Sequence, residues 1–301
     1  MTTVRQWFKA QGWTPQTFQK DCWKAYGEGK NGMLHAPTGS GKTFALWGGI
    51  LQEALKTKKH PVGIQALWIT PLRALAVEIQ QATQRMTSEL HPDLNIALRT
   101  GDTSQSERAK QKHKPSFGLV TTPESLHVLL STKDHSKSFQ HLKVIVVDEW
   151  HELLGTKRGV QVELAIAYLR SFLPALKVWG ISATLGNKEL AREILLGPIE
   201  NYVTVNAQIK KKIKVKSILP KNMESFPWRG HLGIHLLPQV LKLVQKNKTT
   251  LIFTNTRAQC EIWFHRLLEA DPNLAGSIAM HHGSIDKKIR LGVEDALRRE
   301  Q

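Results

Sequence analysis

Gly32-Met33-Leu34-His35-Ala36-Pro37-Thr38-Gly39-Ser40-Gly41-Lys42-Thr43-Phe44-Ala45-Leu46-Trp47 is the stretch that decides the fold. A short apolar run leads into a glycine-containing turn, and good helix formers follow the turn. That strand–loop–helix order is the context a phosphate-binding loop requires. Gly39 and Gly41 let the backbone turn so that successive N–H groups, with Thr38 and Ser40, converge on phosphate oxygens. Lys42 reaches the terminal phosphates, and the Thr43 hydroxyl is placed for Mg²⁺.

A second stretch completes the reading. Val144-Ile145-Val146-Val147 is uninterruptedly β-branched, which predicts a fully buried parallel strand, and Asp148-Glu149-Trp150-His151 follows it. Asp148 at the strand's carboxyl end is the candidate holder of the Mg²⁺ shell. Glu149 is the candidate base that orients and deprotonates the attacking water. Either stretch alone has an ordinary explanation, a glycine-rich helix start or a solvated turn. The two in this order point to a nucleoside triphosphatase that uses ATP and Mg²⁺.

The rest of the chain fits that frame. Apolar runs at 32–36, 64–70, 95–99, 117–121, 143–149, 177–182 and 249–254 alternate with helical patterns at 42–57, 72–87, 158–172, 187–196, 235–246, 257–270 and 286–299. The alternation predicts an α/β, RecA-like doubly wound parallel sheet of the P-loop NTPase kind. Val160, Leu164, Ala167 and Leu169 are expected to be the packing face of the 158–172 helix. A domain boundary is expected near 205–230, dividing an ATP-binding domain at 1–207 from a second motor domain at 208–301, with a further strand near 277–281. Alternating lysines in Lys210-Lys211-Lys212-Ile213-Lys214-Val215-Lys216 read as an exposed strand.

Charge supports a polyanionic partner. The chain of 301 residues carries a net charge of +17 with a pI near 9.9, which favours nucleic acid. The basic excess is denser in the second part, where residues 208–301 hold 17 Lys and Arg against 8 Asp and Glu. Two cysteines, Cys22 and Cys260, make neither a disulfide framework nor a zinc spacing. No stretch reaches the roughly 18 apolar residues of a membrane span, and no signal core opens the chain. The expected setting is cytoplasmic.

The motifs together resemble a superfamily 2 DExH-box helicase of the large helicase-related (Lhr) group, nearest its shorter ligase-associated bacterial branch. The resemblance rests on Thr38–Thr43, Thr70-Pro71-Leu72-Arg73, Thr121-Thr122-Pro123-Glu124, Asp148-Glu149-Trp150-His151 and Ser182-Ala183-Thr184. More particular to the group are Gly12-Trp13-Thr14-Pro15 before Phe18-Gln19, Lys157-Arg158-Gly159, Phe226-Pro227-Trp228, Gly230-His231-Leu232-Gly233 and His281-His282-Gly283-Ser284. It implies that Gln19 reads the adenine and that Phe8 or Trp13 can stack on the base. It implies that Ser182 and Thr184, with His151, couple the ATP site to the strand cleft. The loops Thr70-Pro71-Arg73, Thr100-Gly101-Asp102 and Thr121-Thr122-Pro123-Glu124 are then nucleic-acid grips, with Lys157 and Arg158 as further phosphate contacts. So are Thr254-Asn255-Thr256-Arg257 and His282 in the second part. A hydroxyl, a guanidinium and a helix N-terminus make a ready phosphate clamp, although Ser, Thr and Asp also cap helices for purely structural reasons.

The implied function is an ATP-dependent DNA helicase or translocase core, gripping single-stranded or partly duplex DNA, in DNA repair beside an ATP-dependent DNA ligase and a nuclease. An RNA helicase or remodeller, and a nucleotide-gated binding module that does not unwind, are the alternatives. The sequence stops at Gln301 before the family's last motifs, whose arginines reach the γ-phosphate. An incomplete second domain and weak turnover are therefore expected, since such arginines are worth on the order of 10³–10⁵ in rate.

Overall fold

The structure is a computed structural model, described here for residues 3–133, 135–183, 187–209, 214–219 and 233–299. In chain order, helices α1 (Val4–Ala10) and α2 (Thr17–Gly27) lead into strand β1 (Asn31–His35) and helix α3 (Lys42–Ala54). Then come β2 (Ala66–Ile69), α4 (Arg73–Leu90), β3 (Ile96–Arg99), α5 (Gln105–His113), β4 (Gly118–Thr121), α6 (Pro123–Leu130) and α7 (His135–Phe139). After these follow β5 (Val144–Val147), α8 (Trp150–Leu153), α9 (Lys157–Phe172), β6 (Lys177–Ser182), α10 (Lys188–Leu196) and β7 (Tyr202–Asn206). The last helices are α11 (Leu237–Lys246), α12 (Arg257–Ala270) and α13 (Lys287–Arg298).

The chain separates into two compact units, residues 1–211 and 212–301. The first is built on a seven-stranded sheet in the order β3-β4-β2-β5-β6-β1-β7. Every pairing is parallel. A parallel sheet must bury both faces, and the strands show it. Val144 and Val146 of β5, with Ala66 and Trp68 of β2, enter one core; Ile145, Val147, Leu67 and Ile69 enter the other. The first core is filled by α1–α4 through Trp7, Trp23, Trp47 and Met86. The second is filled by α6–α10 through Leu126, Phe139, Trp150, Ile166 and Leu195. This is the RecA-like layering expected of the sequence.

The central strands fall where the sequence places them, shortened by a residue or two at their ends. The differences lie elsewhere. Tyr202–Asn206 forms an edge strand on β1, and neither it nor helices α1, α2, α5, α6, α7 and α8 is among the expected elements. The face of α9 is also different. Gly159, Val162, Ala165, Ile166 and Leu169 are buried, whereas Val160, Leu164 and Ala167 are exposed, Val160 and Leu164 at 50% and 59%. The helix carries two apolar stripes, and periodicity alone cannot say which one meets the sheet.

The second unit contains α11–α13 and no strand among its described residues. Residues 249–254 and 277–281 carry β-branched and apolar side chains but form no ladder, and Phe253 is 90% exposed. Strand propensity is expressed only where a neighbour supplies hydrogen bonds. Lys214–Lys216 form no strand either. Residues 210–213, Phe226-Pro227-Trp228 and Gly230–Leu232 lie outside the described residues. No described helix is long and apolar enough to cross a membrane.

Gly159 is a packing requirement: a Cβ there would lie 2.2 Å from the Leu153 carbonyl oxygen. Because the obstacle is backbone, no rotamer change relieves it. Gly159→Ala should cost roughly 1–3 kcal/mol, as overpacked cores do. Gly27→Ala, which meets nothing within 4 Å, should be neutral or stabilising. Urea melts of both variants check the contrast, and equal midpoints would contradict it.

Candidate functional site

The phosphate loop, Asp148, Ser182 and the three grip loops all follow the carboxyl ends of parallel strands, where ligands bind in such sheets, whereas Gln19 comes from α2. The sheet order divides them. β1, β6 and β5 are consecutive and carry the phosphate loop, Ser182 and Asp148. β2, β4 and β3 are consecutive and carry the three grip loops.

The phosphate loop connects β1 to α3. Gly39 has φ 74° and Gly41 φ 83°, both in the left-handed region that disfavours a side chain. Gly41 caps α3 without any side-chain hydrogen bond. The same holds at Leu72 before α4 and Thr122 before α6, whereas Ser104, Thr156 and Asn187 cap α5, α9 and α10. Of the helices that follow the site loops, α3, α4 and α6 thus keep their N-terminal N–H groups for a ligand, whereas α5 does not.

Lys42 Nζ lies 2.8 Å from Glu149 Oε1, both side chains largely buried. Glu149 Oε2 is 3.4 Å from His151 Nδ1, which is 3.1 Å from Ser182 Oγ. A continuous polar chain therefore runs from the phosphate loop through β5 to the end of β6. Glu149 is the single described non-glycine residue with positive φ, at 47°, a conformation costing about 1–2 kcal/mol. That turn sends its side chain back to Lys42 while its N–H donates to Asp148 Oδ1 at 2.9 Å.

Asp148 is 4% exposed. Burial, with the Glu149 carboxylate adding to it, pushes its pKa up to about 6 despite the opposing pull of Lys42. A buried carboxylate without a full positive partner is suited to a cation. Thr43 stands one residue into α3 beyond Lys42. One hydroxyl and one carboxylate, with phosphate oxygens and water completing the shell, suit Mg²⁺; no group of three or more His, Cys, Asp or Glu side chains able to hold a metal occurs among the described residues. Ser40 Oγ is buried with no partner among the described residues, a donor left for a phosphate oxygen.

Gln19 is buried and braced rather than open. Its Oε1 accepts from Gln16 N–H at 2.8 Å, and its Nε2 donates to the Gly41 carbonyl at 3.1 Å. Of the two aromatic candidates, Phe8 is buried in the core and Trp13 is 43% exposed. Trp13 lies 5.8 Å from the Phe44 ring. Thr184 lies outside the described residues.

The grip loops are tied to one another. Arg73 Nη1 meets Asp102 Oδ1 at 2.8 Å, joining the loop after β2 to that after β3. A Cβ at Gly101 would stand 2.7 Å from Arg73 Nη2 and would have to displace that flexible side chain. Arg158 Nε meets Glu124 Oε1 at 2.6 Å, and Arg158 Nη2 donates to the Pro71 carbonyl at 2.6 Å. Sequence reading named Arg158 as a phosphate contact; here it bridges loops. The threonine hydroxyls turn inward: Thr121 Oγ1 donates to the Arg99 carbonyl, Thr122 Oγ1 donates to Ser125 Oγ, and Thr100 Oγ1 accepts from Asp102 N–H. Thr70 is fully buried. Arg73, Asp102 and Glu124 remain at the surface, with the uncapped N-termini of α4 and α6. Arg108 was not foreseen; it donates to the carbonyls of Thr103, Thr100 and Gly101.

In the second unit, Thr256 caps α12 and Thr254 Oγ1 donates to the Thr256 carbonyl. Asn255 N–H donates to Gln259 Oε1. Arg257 Nη1 donates to Ser284 Oγ at 2.6 Å, and His282 Nδ1 accepts from Ser284 N–H. The two predicted segments of this unit thus meet.

A profile of the DEAD/DEAH box helicase family matches residues 16–192. The ATP-dependent helicase Lhr-Core of Sulfolobus acidocaldarius is 32% identical over 98% of this chain and 36% of its own length. Among solved structures, the Mycobacterium smegmatis helicase Lhr bound to ssDNA and AMP-PNP superposes with a TM-score of 0.77 at 27% identity, over 99% of this chain and 40% of that one. A DUF1998 helicase, MrfA, bound to DNA gives 0.77 at 22%, over 99% of this chain and 42% of that one, which speaks to fold alone. The chain spans about a third of the length of the curated relatives it matches.

The raised pKa of Asp148 has a testable sign. A carboxyl whose folded pKa lies above its unfolded value of 3.8 adds stability below pH 3.8, and that stability is lost as pH rises through about 6. Asp148→Asn keeps an acceptor for Glu149 N–H and removes the charge. In metal-free buffer it should be more stable than the parent at pH 7.5, by up to about 3 kcal/mol from the size of the shift, and the gain should vanish near pH 4. Denaturation at both pH values measures it; a pH-independent difference contradicts the assignment.

Proposed function

As this chain belongs to the DEAD/DEAH box helicase family, we propose that it is the ATP-handling part of an Lhr-type DNA helicase. In this reading it hydrolyses ATP at the β1–β5 edge and grips a single strand with the β2–β3 loops. The observation that carries the proposal is the chain Lys42–Glu149–His151–Ser182, set at the same sheet edge as the linked loops around Arg73 and Arg158. The wider role, DNA repair beside an ATP-dependent DNA ligase and a nuclease, is what the sequence resemblance implies.

The residues divide the work as follows. Backbone N–H groups of 39–43 and Ser40 Oγ receive the phosphates, and Lys42 leaves Glu149 to neutralise them. Thr43 and Asp148 would hold Mg²⁺, which supplies charge neutralisation to the β- and γ-phosphates. Glu149, released from Lys42, is the one carboxylate free to orient a water and take its proton. His151, hydrogen-bonded to Ser182 and 3.4 Å from the Glu149 carboxylate, passes that change toward β6. Gln19 brings its amide to the base by giving up the Gly41 carbonyl, and Trp13 packs against Phe44 of α3.

Strand binding falls to Arg73, to the uncapped N-termini of α4 and α6, and to Arg257 and His282 of the second unit, with Thr254–Thr256 shaping the loop. Backbone contacts of this kind carry no base readout. A DNA preference over RNA is the part of the proposal that a direct comparison of ATPase stimulation by the two tests.

Glu149→Gln should retain nucleotide binding and lose hydrolysis by at least two orders of magnitude, because the amide cannot accept the proton. Lys42→Ala should lose both. Fluorescent-nucleotide binding and phosphate release separate the cases; parental turnover in Glu149→Gln would remove Glu149 from its role.

Nucleic-acid affinity should fall steeply between 50 and roughly 200 mM salt with little sequence preference. Arg73→Ala should weaken binding to unrelated oligonucleotides equally and lower the salt slope by about one. Affinity insensitive to salt would sink the phosphate-grip reading.

A further inference from the structure

Beneath α5, on the α6–α10 face of the sheet, lies a cavity of about 270 Å³ that no role described so far uses. It is close to the low end of small-molecule sites, which run from roughly 300 Å³ upward. Its floor is apolar: Ile64, Ala97, Leu119 and Leu129. Its carboxyl-end wall carries Arg99, the last residue of β3, and Arg108 of α5.

These two guanidiniums are unusual in their surroundings. Both are partly buried, and among the described residues no carboxylate pairs with either. Arg108 spends Nε and Nη2 on the carbonyls of Thr103, Thr100 and Gly101; these bonds fix its plane without neutralising its charge. Arg99 makes no side-chain hydrogen bond among the described residues. Burial, and then the neighbouring charge of Arg108, hold the Arg99 pKa below its ordinary value. Two like charges beside an apolar floor, half out of water, are costly unless an anion joins them. Guanidinium forks fit phosphate oxygens bidentately.

We propose that this cavity is a phosphate-binding site, in which Arg99 and Arg108 hold the phosphate and the Ala97–Leu119–Leu129 floor takes the body attached to it. The site is separate from the phosphate loop, which lies beyond β4, β2, β5 and β6. The phosphate can come from a free mononucleotide or from the backbone of a bound strand, whose grip loop 100–103 Arg108 braces. The second source rests on the proposed strand-binding function; the first does not. In either case occupancy draws on Arg108 and so stiffens that loop.

The test uses the 301-residue chain in a Lys42→Ala background, which silences the phosphate loop. Calorimetric titrations with AMP, with sodium phosphate and with a single-stranded thymidine oligonucleotide are run on this protein and on Arg99→Gln, Arg99→Lys and Ala97→Leu versions. Thermal melts confirm that each is folded. Saturable AMP binding that drops at least tenfold in Arg99→Gln, less in Arg99→Lys, and that Ala97→Leu blocks more than it blocks phosphate, supports a free mononucleotide. Oligonucleotide affinity that drops tenfold in Arg99→Gln while AMP fails to bind assigns the phosphate to a strand. Loss of oligonucleotide binding in all versions, with AMP binding intact, removes the strand-binding function and leaves the site standing. Folded variants in which neither AMP, phosphate nor oligonucleotide affinity depends on Arg99 overturn the proposal.

Discussion

The 2.8 Å pair between Lys42 and Glu149 is the contact on which the site depends. Its partners are 107 residues apart and follow β1 and β5, which are not neighbours: β6 runs between them. The pair therefore spans a whole strand, and only a sheet with this crossover brings it together. The intervening strand ends in Ser182, which completes the chain through His151. One topological choice thus supplies the cation, the carboxylate and the group that can sense them. A buried pair of this kind adds little to stability; its value is that two opposite charges wait in a largely dry place, each needed by a different part of an incoming nucleotide and water.

The other half of the edge follows a different electrostatic rule. Arg73 with Asp102, and Arg158 with Glu124, are partly exposed pairs, worth little to stability in water. Burial opposes ionisation of Glu124, but the Arg158 guanidinium together with hydrogen bonds from its own backbone N–H and from Thr122 holds its carboxyl below the usual carboxylate range. What these pairs provide is register: three loops from three strands are fixed to each other and to the start of α9. A strand backbone with regularly spaced phosphates needs that fixed spacing more than it needs affinity from any one contact.

Much of this was legible in the sequence. The phosphate loop and the β5 strand, expected at 143–149 and formed at Val144–Val147, were, because phosphate chemistry and double-sided burial each allow few residue types. Gln19 was named through the family resemblance, but its bond to Gly41 was not, since nothing local records a partner 22 residues away. Arg158 was read as a contact for phosphate; its bridge to Glu124 and Pro71 exists only in three dimensions. The α9 face failed because Val160–Leu164 and Val162–Ile166 are equally good stripes, and only the sheet decides between them. The 249–254 run shows the converse: strong strand residues without a ladder partner are not a strand. Arg99 and Arg108 gave no signal because a basic residue in a basic chain stands out only when its surroundings are seen.

The left-handed backbone of Glu149 shows how the fold holds its site against local preference. Glycine would adopt φ 47° at no cost but would lack the carboxylate, so the strain must be met by neighbours on both sides. On one side, the Glu149 N–H is bonded to Asp148, whose own strand is locked between β2 and β6. On the other, Trp150 is fully buried and its Nε1 donates to the Ala191 carbonyl at 2.8 Å. Leu153 is buried one turn later, and its carbonyl is pressed against Gly159. Thr156 then caps α9, which packs on the sheet. Buried packing and bonds at Trp150, Leu153 and Gly159 therefore restrain the chain that follows Glu149. The sequence around the carboxylate, with its indole, its leucine and its glycine, is the device that keeps Glu149 aimed at Lys42 rather than at solvent.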